Sequence, residues 1–245
     1  MKKEKHKSND KKDNEKGFKK DEFDESPHAF TIDTLFELYK DIFEQIYKEM
    51  NTKDIYSEIS LRVYKEKLFD LILLGKEQKV KDVLEEFPEL LNVRNAQGET
   101  PIMVSARTGR SIFYDLLKDE NVDLEVSDKS GENIVHEIVD SHSSGYFFNT
   151  ILKRIKERIG ERKFKQLLNK ETKYGHTPLH RAAYLGLPEI VESLLSYGAV
   201  IKPNKNGVSP LDVAKKMRDL FNQQNRKEAV IRYEKIIEIL KSHNK

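Results

Sequence analysis

The chain has no cysteine and no tryptophan, and only 11 glycines and 7 prolines among its 245 residues. Without cysteine there is no disulfide, no thiolate metal site and no cysteine nucleophile, which suits a reducing compartment. No apolar run approaches the roughly 18 residues that a membrane-spanning helix needs. The basic start Met1-Lys-Lys-Glu-Lys-His-Lys7 is followed by no apolar segment, so it does not read as a secretory signal peptide. An excess of one charge is missing too, since 44 Lys and Arg against 42 Asp and Glu leave +2. Nucleic acid or an anionic membrane is therefore not expected as a partner on global charge. Neither a G-x-x-x-x-G-K-[ST] phosphate loop nor a G-x-S-x-G elbow occurs. Asp140, Ser141 and His142 supply the residue types of a catalytic triad, but neighbours at one helix end lack the needed geometry. No catalytic centre is expected.

What is present is 37% hydrophobic and 35% charged sequence, the balance of a thin structure with much surface. Its most informative stretch runs from Gly175 to Ala199 and predicts two short helices with one turn between them. Thr177 offers an N-cap hydroxyl, and Pro178 sits at the first helical position, where a missing N–H costs nothing. Leu179, Ala182 and Ala183 give the first helix a face of small bulk, so another helix can come close. Gly186 ends it, because a residue just past a helix favours positive φ. Ile190, Val191, Leu194 and Leu195 give the second helix one apolar face.

The stretch Gly175-His-Thr-Pro-Leu-His-Arg-Ala-Ala-Tyr-Leu-Gly, completed by Ile190-Val191, Leu194-Leu195 and Gly198-Ala199, resembles an ankyrin repeat. Such a unit cannot bury its own apolar face and implies neighbours of the same kind. Glycines followed by a helix start recur at 98, 131, 175 and 207, intervals of 33, 44 and 32 residues. The period of the family is about 33, so the middle interval carries an insertion of about eleven residues. The resemblance implies an all-α fold: an ankyrin-repeat solenoid of stacked helix–turn–helix units with short β-hairpin turns, plus N-terminal capping helices.

Taken in order, residues 1–26 form a charged tail: the first 25 hold nine lysines and eight acids, too little apolar surface to offset the entropy of ordering. Residues 27–65 form an N-terminal helical cap. Leu35, Phe36, Tyr39, Ile42, Phe43, Ile46, Tyr47 and Met50 follow helical spacing, and Asn51 to Asp54 opens a second helix carrying Ile55, Ile59 and Val63. The face of the 31–50 helix either covers the first repeat or meets a partner. Residues 66–245 form the repeat domain, in about five units: 66–94, 95–127, 128–171 with the insertion, 172–203 and 204–245. In the third, Asn133-Ile-Val-His136 replaces Thr-Pro-Leu-His, and Ile138-Val139 replace the alanine pair, which should spread the neighbouring helices or change their angle. Gly160 is expected to break the long helix of the insertion.

His176 and His180 have the spacing of a metal pair, and His136 occupies the equivalent box position. Met103 and Asp212 fill the other copies, so no repeated metal site is possible, and neither a metal nor a cofactor is expected. The resemblance instead makes the box histidine structural, its ring bonding to the backbone of the next loop. It also implies a concave surface that binds another protein without catalysis. The positions it points to are Gln97, Glu99, Arg107 and Thr108; Lys129, Glu132 and Asp140; Lys173, Tyr174, His176, Tyr184 and Leu185; and Lys205, Asn206 and Val208. Tyr174 and Tyr184 are the expected anchors, because exposed aromatics dominate interface energetics.

Two charge blocks stand beside these residues. Residues 115–140 hold nine acids and two lysines, and 153–173 hold nine bases and three acids. They are either recognition patches or faces that partly neutralise each other. The expected function is a monomeric, non-catalytic protein–protein interaction module. Its location is the cytoplasm, or a host cell if the Lys-, Asn- and Ile-rich style marks a bacterial effector. The alternatives are a regulatory or inhibitory subunit of an enzyme, or a binder of nucleic acid or anionic lipid through the basic insertion 153–173.

Overall fold

The computed structural model describes residues 39, 40, 42, 44, 53–141 and 145–243. The chain divides into two compact units, Met1–Ser57 and Glu58–Lys245. In the first, Tyr39, Lys40, Ile42 and Glu44 are helical. The charged tail 1–26 and the rest of the 31–50 helix lie outside the described residues.

Among the described residues the structure has ten α-helices and no strand; its one isolated antiparallel bridge pairs Ser127 with Asn133. The helices are α1 (Lys53–Leu73), α2 (Glu77–Glu86), α3 (Pro101–Arg107), α4 (Ile112–Lys118) and α5 (Ile134–Ser141), then α6 (Gly145–Leu168), α7 (Pro178–Leu185), α8 (Pro188–Ser196), α9 (Pro210–Gln223) and α10 (Lys227–Ser242). The helix expected from 51–54 and the first helix of the first repeat are one continuous α1. No Gly or Pro falls between 53 and 73 to divide them. Tyr64, Leu68, Phe69, Leu71 and Ile72 on α1 are buried, and the Tyr64 ring packs 4.4 Å from that of Phe87.

The layering of the second unit is that of stacked helix pairs. α3 packs on α5, α5 on α7 and α7 on α9, while α6, α8 and α10 form a parallel second row. Leu179, Ala182 and Ala183 of α7 are completely buried in this stack. Thr177 is extended (φ −102°, ψ 167°) ahead of Pro178, and Gly186 takes the left-handed conformation (φ 72°, ψ 43°) that ends α7. The Thr177 hydroxyl itself lies 2.9 Å from His180 Nδ1, so the box histidine shares the cap. In α5 the larger Ile138 and Val139 are also fully buried at the alanine positions.

α6 is long, and its continuity breaks at Gly160 (φ 79°, ψ 161°), where the sequence places a breaker. Beyond it Phe164, Leu167 and Leu168 turn inward, and Phe164 meets Tyr197 edge-on at 5.7 Å.

α10 closes over the fourth repeat through Tyr233, whose hydroxyl donates to the Tyr184 carbonyl at 2.7 Å. Its ring also occupies the space beside Gly186, 2.9 Å from where a Cβ would stand. Tyr233→Phe keeps the ring and removes the hydrogen bond, so it should cost about 1 kcal/mol. Thermal denaturation should show a midpoint lower by about 2–4 °C. An unchanged midpoint would mean that the hydroxyl contributes nothing to holding α10.

Candidate partner-binding surface

The surface is built from four tight turns, or fingers, that precede α3, α5, α7 and α9. Each closes in the same way: Asn95, Asp128, Thr172 and Asn204 donate their N–H to the carbonyls of Glu99, Glu132, His176 and Val208, at 2.8–3.0 Å. The side-chain oxygen of the same residue accepts two further backbone N–H groups. Asp128 Oδ1, for instance, accepts from Ser130 at 2.9 Å and Glu132 at 2.7 Å. These short polar side chains fold the turn by satisfying its own backbone. The fingers then join to one another: Lys129 N–H donates to Gln97 O at 3.0 Å, Lys173 N–H to Ser130 O at 2.7 Å, and Lys205 N–H to Tyr174 O at 3.3 Å.

The box histidines tie each finger to the helix behind it. His180 Nδ1 accepts from Thr177 N–H at 3.2 Å, and Nε2 donates to the Val208 carbonyl of the next finger at 3.0 Å. In the third repeat His136 Nε2 lies 3.4 Å from the His176 carbonyl, a looser version of the same tie. Burial holds His136 neutral, with its pKa lowered to about 4, and lowers that of His180 as well. Both nitrogens of His180 are thus committed, and its ring centroid lies 5.7 Å from that of His176. Among the described residues no group of three or more His, Cys, Asp or Glu is placed to hold a metal.

Between fingers and helices runs a network of charges. Arg107 Nε donates to Glu99 at 3.0 Å and lies 3.7 Å from Glu137. The Arg181 guanidinium takes Asp140 in a two-point grip, with Nε 2.5 Å from Oδ1, and also reaches Glu132. Asp140, above all, raises the Arg181 pKa. Glu132 is moved upward because burial outweighs the field of Arg181. Glu137 is the extreme case, 1% exposed, with one carboxylate oxygen lacking any hydrogen bond. Burial and the neighbouring carboxylates Glu132 and Glu99 push its pKa up to about 8, against the pull of Arg107 and Arg181.

Over this network opens a groove of about 510 Å³. Its walls bring together Glu132, Asp140, Tyr174, His176, Tyr184 and Leu185, six of the residues named from sequence, with Arg181 and Val213 beside them. Tyr174 and Tyr184 remain 59% and 57% exposed, which marks them as surface residues of the groove. Lys129, Lys173, Lys205, Gln97 and Asn206 lie in the exposed finger turns. Glu99, Arg107 and Thr108 are engaged within the protein, Thr108 through its hydroxyl to the Val104 carbonyl at 2.7 Å. Sequence reasoning passed over Arg181 and Glu137. Their only signal is a charge at the position where the other first helices carry Val104 and Val213.

The acidic and basic blocks meet each other. Arg158 donates to the carbonyls of Leu117, Glu120 and Val122 at 3.1, 3.2 and 2.9 Å, and Lys163 pairs with Glu125 at 2.6 Å. Lys156 and Lys165 both pair with Glu161, at 2.5 and 3.4 Å.

Stacked helix pairs joined by hydrogen-bonded fingers and box histidines define the ankyrin class. Residues 174–205 match the family model described as Ankyrin repeat, and the helical stack is of the ankyrin-repeat kind. The chain is similar to Transcription factor MBP1 of Kluyveromyces lactis, 33% identical over an alignment 129 residues long that covers 47% of this chain and 17% of that protein. It is also similar to Transcription factor MBP1 of Saccharomyces cerevisiae, 27% identical over 60% of this chain and 19% of that one. Ankyrin repeat and SAM domain-containing protein 6 of Rattus norvegicus is 27% identical over 62% of this chain and 12% of its own length. The chain therefore spans less than a fifth of the length of these relatives. No helix among the described residues is long and apolar enough to cross a membrane.

Proposed function

We propose that the groove beside α5 and α7 is a protein-docking surface, and that the chain acts as a non-catalytic interaction module. The observation that carries this reading is the pair Tyr174 and Tyr184. Two large aromatics stand more than half exposed on one groove whose floor is fixed by the Arg181 network. Exposed, preorganised aromatics lose little entropy on binding and supply much of the interface energy. Regulation of an enzyme would be one use of such a surface.

The basic insertion is a weaker candidate for nucleic acid or lipid, because Arg158, Lys156, Lys163 and Lys165 are engaged with groups of the protein. The relatives reported above come from yeasts and a rodent, and they lend no support to delivery as a bacterial effector.

The double variant Tyr174→Ala/Tyr184→Ala should keep its helical circular dichroism and melt within about 2 °C of wild type, as surface changes do. It should weaken partner capture by roughly 2 kcal/mol or more. Capture intact in a folded variant would end this reading, and loss of the fold would make both tyrosines packing residues.

A further inference from the structure

Lys129, Lys173 and Lys205 occupy the same position in three successive fingers, directly after the turn-forming residues Asp128, Thr172 and Asn204. Their backbone N–H groups are fixed by the finger-to-finger hydrogen bonds, so the three Cα atoms fall in line along the stack. The stems of two lie across the preceding finger: Lys129 Cγ would be 3.1 Å from a Cβ at Gly98, and Lys205 Cγ 3.1 Å from one at Gly175. Lys173 Nζ rests 5.0 Å from the centre of the Tyr174 ring. All three side chains are exposed, and among the described residues none is ion-paired. Lys205 adds only a weak field at Glu171, whose partner is Lys202 at 2.7 Å.

The nearby carboxylates, by contrast, are taken up internally: Glu99 by Arg107, Glu132 and Asp140 by Arg181, and Asp128 by the N–H and hydroxyl groups of its own turn. The charge left unmatched along the finger edge is positive, and it borders the groove, since Ser130 and Tyr174, the next residues after two of these lysines, line it.

We infer that the lysine row seats an acidic, extended segment of a partner protein, with one carboxylate for each finger. This rests on the docking surface proposed above and specifies its partner. The fingers are spaced by the packed helices α3, α5, α7 and α9 that they precede, and packed helices lie about 8–10 Å apart. A polyproline-II segment advances about 3.1 Å per residue and repeats every three, so about 9 Å separates like-facing side chains. Carboxylates at every third position of such a segment match the row. A duplex or single-stranded nucleic acid would bring phosphates at closer intervals and against the carboxylates of Glu132 and Asp140.

The test uses the full chain and three fluorescein-labelled probes: the dodecapeptide (Glu-Pro-Ala)4, a peptide of identical composition with its four glutamates adjacent, and a twelve-residue oligo-thymidylate. Fluorescence anisotropy should show the spaced peptide binding most tightly. The triple variant Lys129→Gln/Lys173→Gln/Lys205→Gln should weaken it about tenfold, three exposed ion pairs each contributing a fraction of that. Equal binding of the blocked peptide, tighter binding of the oligonucleotide, or no binding of the spaced peptide overturns the inference. Those comparisons need only the wild-type chain, so they stand even if the variant fails to fold. A partner captured by wild type and by the lysine variant, but lost from the tyrosine variant, would leave the groove reading in place and remove the lysine row.

Discussion

Gly175→Ala should lower the melting midpoint by about 10 °C, whereas Gly207→Ala should lower it by only about 5 °C. Both glycines have positive φ, +81° and +75°, so either alanine pays for a left-handed backbone, about 1–2 kcal/mol. Only Gly175 has a neighbour in the way. A Cβ there would stand 2.6 Å from the backbone nitrogen of Lys205, whereas nothing lies within 4 Å of one at Gly207. Clearing that clash requires the next finger to move, which loosens the Lys205 N–H bond to Tyr174 O and adds the 1–3 kcal/mol typical of overpacking. Circular dichroism melts of the two variants decide the matter. Equal shifts would show that the closeness of the fingers does not constrain the stack.

Glu137→Gln should make the protein more stable in alkali and leave it little changed in acid. The folded pKa of Glu137 is raised from 4.5 to about 8, so the native state holds a proton that the unfolded chain releases. Stability from this group is complete below about pH 4.5, falls as the pH rises toward 8, and stays low above it. At about 1.4 kcal/mol per unit, the ionised, buried carboxylate costs on the order of 5 kcal/mol. The charges that face it are Glu99 and Glu132 on the fingers, Arg107 on α3 and Arg181 on α7. Asp115, Glu161, Glu171 and Asp212 have lowered pKa values, so their contributions vanish in acid instead. They are common to both proteins and cancel in the difference. Melts at pH 5, 7 and 9 should therefore diverge, the variant ahead by about 8 °C or more at pH 9. Parallel curves would mean that the Glu137 carboxylate is stabilised as well as it would be in water.

Much of this architecture is local and was legible in the chain. Pro178 and Gly186 bound α7, Gly160 interrupts α6, and the glycines at 98, 131, 175 and 207 mark the fingers, because each acts through its own backbone. The identity of the turn-forming residues was less visible, since Asn95, Asp128, Thr172 and Asn204 differ in type while doing one job through a single side-chain oxygen. The tyrosines at 174 and 184 are named because the ankyrin resemblance puts them at partner-facing positions and exposed aromatics dominate interface energetics.

What the sequence determined by itself was thus the period, the helix ends and a set of candidate positions along the repeats. The tertiary structure decided which of those positions are free. Arg181 lies 41 residues from Asp140 and 49 from Glu132, and whether such charges meet depends on the rotation of one helix against the next. That rotation turned Glu99, Glu132 and Asp140 inward onto arginines, buried Glu137, and left Tyr174, Tyr184 and the finger lysines to the solvent. A charge in sequence has no partner until packing supplies a distance, and Coulomb energy depends on that distance and on the water excluded from it.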